Sequence, residues 1–352
     1  MRELYKTVDK IIENVDFDKI WTGFSKFNFA LYNKDNVYLK DEIIPYDRRF
    51  LGNTSIEYNG EFIAIWHVEN PFEEDSQILT ADLVHEMFHA FQRQHKESRY
   101  PDDLIMLNYP DNRENYIVKH SENLLLVNAF ISENINAKKS YFKKFLSARK
   151  YRENFIGDII KQEYYTETIE GIAEYAGSMA LKQISHEKYI KRINGYVDNL
   201  KILDSRFFDI RRMLYCSGAV FCTLLSEIRI NICHKIGTKD SPLFSIMSEN
   251  SKAKKPLIDF DINDLLNQTT KYVNDKKIRF DDFFKTHKDK TDGDFTICGY
   301  DPMNMIKTDN MILCSHFIML KDENSDEPIF IKGPVVINLK NDSYNKVHSY
   351  IK

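Results

Sequence analysis

In the stretch Leu83-Val-His-Glu-Met-Phe-His-Ala-Phe-Gln92, His85, Glu86 and His89 stand in the order His-Glu-x-x-His. Residues four apart on an α-helix differ by about 40° around its axis, so both imidazoles can reach one metal ion. Glu86 lies beside them, where it can take a proton from a metal-bound water. The helix reading is supported locally. Thr80 is a suitable N-cap, Asp82 falls in the first turn, and no Pro or Gly interrupts the run to His95. Leu83, Met87, Ala90 and Phe91 recur at helical spacing and form its core face. Two histidines and a glutamate among such residues are costly to bury without a partner, and a metal is one.

Catalytic zinc usually has three protein ligands and one open position. The best source of a third is Tyr164-Tyr-Thr-Glu-Thr-Ile-Glu-Gly-Ile-Ala-Glu-Tyr-Ala-Gly177. Glu170 and Glu174 are four apart on one helix face, with Glu163 and Glu167 nearly in line in the preceding turns. Such a stripe often faces solvent, but this one is set among Ile169, Ile172, Ala173, Tyr175, Ala176, Met179 and Ala180. Carboxylates in an apolar segment call for a cation or donor, which the first helix can supply.

His-Glu-x-x-His followed by Glu-Gly-x-Ala-Glu-Tyr resembles the gluzincin metallopeptidases, the clan that includes thermolysin and the clostridial collagenases. The resemblance covers roughly residues 60–230 and implies a zincin-like catalytic domain that hydrolyses peptide bonds in a peptide or protein substrate. It assigns Glu170 as third zinc ligand and Glu174 as acceptor for the non-metal nitrogen of a ligand histidine, His85 in the first instance. It also implies a Tyr or His donor to the oxyanion, for which Tyr215 is the first candidate. Gluzincin aminopeptidases bind the substrate amine through a strand glutamate. His67-Val-Glu-Asn70 offers Glu69 for that part, without the glycine and methionine of the family motif. His67 reads as a strand histidine. One departure is plain: Ala90 to Ile169 separate the two motifs, where thermolysin and the aminopeptidases have a short spacer. Helices over Glu122–Glu133 and Lys138–Ile156 fill the gap as an inserted layer. An alternative of another class is a non-catalytic zinc-containing binding protein, against which Glu86 argues, because a structural site has no use for an unliganded glutamate.

The chain has 352 residues, 43% hydrophobic and 29% charged, with 24 Phe and 20 Tyr to build a core. A net charge of −4 gives no reason to expect nucleic acid, and the lysines near 252–255 and 285–290 read as solvated surface. No apolar run approaches a membrane span, and Met1-Arg-Glu-Leu-Tyr-Lys lacks a signal h-region. Cys216, Cys222, Cys233, Cys298 and Cys314 are odd in number and form no Cys-x-x-Cys pair, which points to a reducing cytoplasm. The composition says nothing of oligomeric state.

The expected fold class is α+β. Glu3–Asn14 is an amphipathic helix, Asn36–Leu51 is extended, and Ser55–Val68 is a hairpin about Asn59-Gly60. In gluzincins an edge strand lining the cleft precedes the active-site helix, and Phe62–Val68 is the candidate for it, able to bind an extended peptide. A small sheet over about 36–70 is followed by a helical region over about 80–290, within which Gly218 and Ala219 of Arg211–Ile232 allow close helix packing. Asp259–Leu266 and Arg279–Lys285 read as short helices. Together 1–290 form the catalytic region, and 291–352 a small β-rich C-terminal module with Thr296-Ile-Cys, Met311–Leu320, Ile329–Lys332 and Val335–Leu339 as strands.

Overall fold

The computed structural model describes residues 1–352 except 234, 235, 239, 323, 324, 326 and 342. It is an α+β protein with an N-terminal sheet, a helical middle and a C-terminal sheet. Helices α1 (Arg2–Ile12) and α2 (Phe17–Ile20) precede β1 (Asn28–Tyr32), β2 (Asn36–Tyr38), β3 (Ile43–Pro45), β4 (Thr54–Tyr58) and β5 (Glu61–His67). The sheet order is β3-β2-β1-β5-β4, with β1 parallel to β5 and the other pairs antiparallel. Asn59 and Gly60 have φ of 52° and 82°, the positive values that a two-residue hairpin turn needs between Tyr58 and Glu61.

Two sequence expectations fail here for one reason. Strand β1 has no alternating pattern, because Phe29 and Leu31 enter the helical core while Ala30 and Tyr32 pack on the other face with Phe50. Once β1 takes one side of β5, Phe62–Val68 is interior to the sheet. The edge beside it is β4 instead. That edge is partly covered: Ser55 is buried, and its carbonyl accepts a bond from Arg93 Nη1 at 2.6 Å.

Helix α3 (Ser76–Gln94) comes next and begins four residues before Thr80. Its N-cap is Asp75, whose carboxylate accepts from the amides of Gln77 and Ile78, so Asp82 lies in the helix interior paired with Arg192. Then come α4 (Asp103–Met106), α5 (Arg113–Ile131), α6 (Ile135–Ile156), α7 (Ile160–Thr166), a π-helical turn (Glu167–Gly171), α8 (Ile172–Ile184), α9 (His186–Lys201), α10 (Ile210–Glu227), α11 (Leu243–Met247) and α12 (Ile262–Thr286). The helices expected between the two motifs are therefore present, the first starting nine residues before Glu122. The two short helices expected after 259 are one, α12, uninterrupted by Pro or Gly. Its apolar contacts sit toward the ends, Leu265 near the helical core and Phe280 and Phe283 on the C-terminal sheet.

The C-terminal sheet comprises β6 (Lys290–Tyr300), β7 (Met305–Thr308), β8 (Met311–Cys314), β9 (Phe317–Asp322), β10 (Pro328–Lys332), β11 (Val335–Leu339) and β12 (Lys346–Ile351). All its pairs are antiparallel, in the order β10-β9-β6-β12-β11-β8-β7. Among the described residues no helix is long and apolar enough to cross a membrane, and the five cysteines are unbridged.

Candidate metal centre

Helix α3 turns one face to the N-terminal aromatics, with Phe88 edge-on to Trp21 and Phe24. That packing aims His85 and His89 the opposite way, toward α8. The two helices meet closely, because Gly177 brings the α8 backbone against the Ala81 carbonyl, where a Cβ would not fit. A second close approach fixes the other side: Gly171 lies on Gly218 of α10, backbone to backbone. These glycines let three helices converge around one small space.

Within it, His85 Nε2 and His89 Nε2 are 3.0 Å apart. Glu170 Oε2 lies 3.1 Å from His89 Nε2 and 3.6 Å from His85 Nε2. Donors about 2.0–2.1 Å from a tetrahedral zinc are separated by about 3.3 Å, so the three atoms have a suitable spacing for one ion. Their protonation points the same way. Gln92 donates to the Ile169 carbonyl at 3.0 Å, which turns its amide oxygen toward His89. Nδ1 of His89 therefore donates to Gln92 Oε1 at 2.8 Å, and the lone pair is left on Nε2, facing Glu170. A lone pair set against a carboxylate needs a cation or a proton between them.

The charges behave accordingly. Burial opposes charge on His85, but Glu170, Glu174 and Glu86 outweigh it and push its pKa up to about 9. Burial also opposes charge on Glu170, yet His89, His85 and Arg211 hold that carboxyl well below the usual range. Burial raises the pKa of Glu86, which is 6% exposed and has Oε2 without a hydrogen-bond partner. An unpartnered buried carboxylate oxygen beside two imidazoles is available for proton transfer.

Glu174 stands on the outer side of His85, its Oε1 3.7 Å from Nδ1, longer than a hydrogen bond, while Tyr196 donates to Oε2 at 2.5 Å. Tyr215 lies parallel to the His85 ring at 6.3 Å. Arg211, one turn earlier on α10, donates at 3.3 Å both to Tyr215 and to Glu170 Oε1, and is paired with Asp103. Arg211, Asp103, Tyr196 and Gln92 did not stand out in the sequence. Gln92 and Arg211 could have, since each lies one helical turn from a candidate, His89 and Tyr215 respectively.

Glu163 and Glu167 are elsewhere. The π-helical turn adds about one residue to the helix repeat, rotating the helix before it by roughly 100° relative to the helix after it. The carboxylate stripe is thereby split. Glu163 and Glu167 face α5 and α6, where they join Lys119, Glu122, Arg149 and Arg152 in a buried network.

The site opens into a cavity of about 670 Å³ whose wall includes Trp66, Tyr100, Arg211, Tyr215, Tyr300 and Phe317. The last two come from the C-terminal sheet, so that module borders the cavity. Thr54 at the start of the β4 edge lines it too, whereas Glu69 is exposed and His67 packs edge-on against Tyr32. In comparisons with known proteins, no family model, no curated protein and no solved structure matches the chain.

Proposed function

We propose that the protein is a zinc-dependent peptidase of the gluzincin type, with His85, His89 and Glu170 as metal ligands. The observation that carries the reading is the convergence of two imidazole nitrogens and one carboxylate oxygen within 3.6 Å, beside the buried, unpartnered carboxylate of Glu86. A mixed sheet running directly into the His-Glu-x-x-His helix accords with a zincin-like domain over 1–290, to which the module at 291–352 lends one wall of the cleft. The unbridged cysteines favour a reducing compartment, the cytoplasm.

Zinc held there would polarise the scissile carbonyl and lower the pKa of a water to about 7. Glu86 accepts the proton of the attacking water and passes it to the leaving amine, a role that its raised pKa suits. Gln92 fixes the His89 tautomer, and Glu174 with Tyr196 borders the far side of His85. Arg211 holds Oε1 of Glu170, leaving Oε2 to the metal, and its contact with Tyr215 sets that phenol at the cavity wall as donor to the oxyanion. The large aromatic cavity suits peptide side chains. The β4 edge borders the cavity at Thr54, and Arg93 occupies the Ser55 carbonyl beside it. No observation favours aminopeptidase action through Glu69.

Metal analysis combined with a mixed peptide library and denatured casein tests the proposal. The wild type should hold one zinc and cleave, Glu170→Ala should lose the metal, and Glu86→Gln should keep zinc while activity falls by about 10²–10⁴-fold. A fully active Glu86→Gln protein, or a wild type that binds no zinc, would end it.

A further inference from the structure

Three cavities of the molecule differ sharply in charge. The one beside His85, His89 and Glu170 is lined by five carboxylates against two arginines. A neighbouring one of about 410 Å³, between α12 and the C-terminal sheet, balances four aspartates with four cations. The third, about 580 Å³, has Lys143, Lys144, Lys254 and Lys255 against Asp259 alone. In a chain of net charge −4 this is a concentrated positive site. The lysines near 252–255, which read as solvated surface in the sequence, prove in part to line a cavity.

Its construction is particular. Helices α5 and α6 form one side, and a strap without helix or strand over 251–259 forms the other. The strap is fastened at both ends. Lys254 N donates to the Ser147 carbonyl at 3.0 Å, and the Phe260 ring meets His120 edge-on at 4.6 Å. Between the fastenings Leu257 is 92% exposed at the rim. Leu125, Tyr141 and Phe260 make an apolar floor. Among the described residues none of the four ammonium groups has a carboxylate within ion-pair distance, although Lys144 lies 4.9 Å from the face of Tyr141. Four cations lining one groove with a single aspartate repel one another, and an anion entering the groove relieves that repulsion.

We propose that this groove binds a free, single-headed anionic amphiphile, an acyl chain or aromatic body ending in a carboxylate or sulfonate. The body lies on Leu125, Tyr141 and Phe260, and the head sits among Lys144, Lys254 and Lys255. The volume is that of a small-molecule site. The apolar floor distinguishes the ligand from a simple inorganic anion. A membrane surface would call for a broad projecting apolar face, and here the strap offers Leu257 and, much less exposed, Ile258. The proposal is independent of the zinc chemistry.

Fluorescence titration with 8-anilinonaphthalene-1-sulfonate, followed by displacement with dodecanoate, tests it. The full-length protein should bind the dye at one saturable site, and dodecanoate should displace it. The uncharged N-phenyl-1-naphthylamine should bind at least about tenfold more weakly. Reversing two exposed charges in K254E/K255E should cost about tenfold in affinity for the sulfonate. K252E, a neighbouring exposed lysine outside the lining, should bind like wild type. The idea is overturned by equal affinity for the neutral dye, by equal loss in K252E, or by an unchanged K254E/K255E. It is likewise overturned if the protein binds phosphatidylglycerol vesicles but neither dye nor monomeric dodecanoate.

Discussion

One helical segment, 160–184, carries two pairs of glutamates with opposite surroundings. Glu163 and Glu167 are buried against Lys119, Arg149 and Arg152, and with Glu122 they make three anions facing three cations. Arg152 alone bonds both oxygens of Glu163, at 2.6 Å each, and Ser217 adds a donor to Glu167. Glu170 and Glu174 instead meet two imidazoles, one shared arginine and the unpartnered Glu86. The first group is closed, with charge and hydrogen bonds satisfied internally. The second has an excess of negative charge, the condition a bound cation would correct. Burial of carboxylates alone does not mark a functional site. An imbalance among them does.

The largest expected effect falls on the closed group. Arg152→Ala leaves Glu122 and Glu163 buried without their main partner and should cost about 3–5 kcal/mol in urea unfolding, with zinc content of the folded protein unchanged. A loss below about 1 kcal/mol would break the distinction, since the network would then be as dispensable as a surface pair.

Acid should reveal the same group. Burial opposes charge on Glu163 and Glu122, but the arginines and Lys119 outweigh it and hold both carboxyls below their ordinary value. Their contribution to stability is whole above about pH 4.5, the ordinary value, and is lost as pH falls below it. His120 adds an earlier phase. Burial lowers its pKa from 6.5 to about 4, so between those values the unfolded chain takes a proton that the folded chain refuses. The His120 proton should therefore lower the denaturant midpoint from about pH 6.5 downward, partly offset by Asp103, whose burial raises its carboxyl to about 6, and the decline should steepen below 4.5. His120→Phe should remove the first phase. Midpoints of wild type and His120→Phe that run parallel from pH 7 to 4 would contradict the His120 assignment.

A smaller effect separates roles inside the open group. Glu174→Ala should weaken zinc binding by about 10–100-fold, measured by competition with a chelator, without abolishing it as Glu170→Ala does. Equal losses in the two variants would make Glu174 a ligand in its own right.

Much of this was readable in the sequence where local rules govern. The four-residue spacing of His85 and His89 and the Asn59-Gly60 turn are statements about one helix and one hairpin, and they hold in the structure. The rest depended on tertiary partners. Strand β1 is covered on both faces and so lacks the period-two signal. The π-helical turn that splits the glutamates depends on how α7 and α8 pack on different neighbours, which spacing does not encode. Arg211 and Asp103 are more than 100 residues apart, and each is an ordinary surface residue type until the fold pairs them. Helix α12 reads as two short helices in the sequence because its middle has little apolar periodicity to join them.

The meeting of Gly171 with Gly218 also works as a mechanical joint. A Cβ on Gly171 would lie 2.4 Å from the Gly218 Cα and one on Gly218 2.5 Å from the Gly171 Cα, so the two backbones meet with no side chain as a spacer. The carboxylate next to one glycine and the arginine and phenol two turns or less from the other are thus mounted on a single rigid frame. A methyl group at either position would spread the helices and displace all three together, so this joint is one place where tolerance to sequence drift should be narrow.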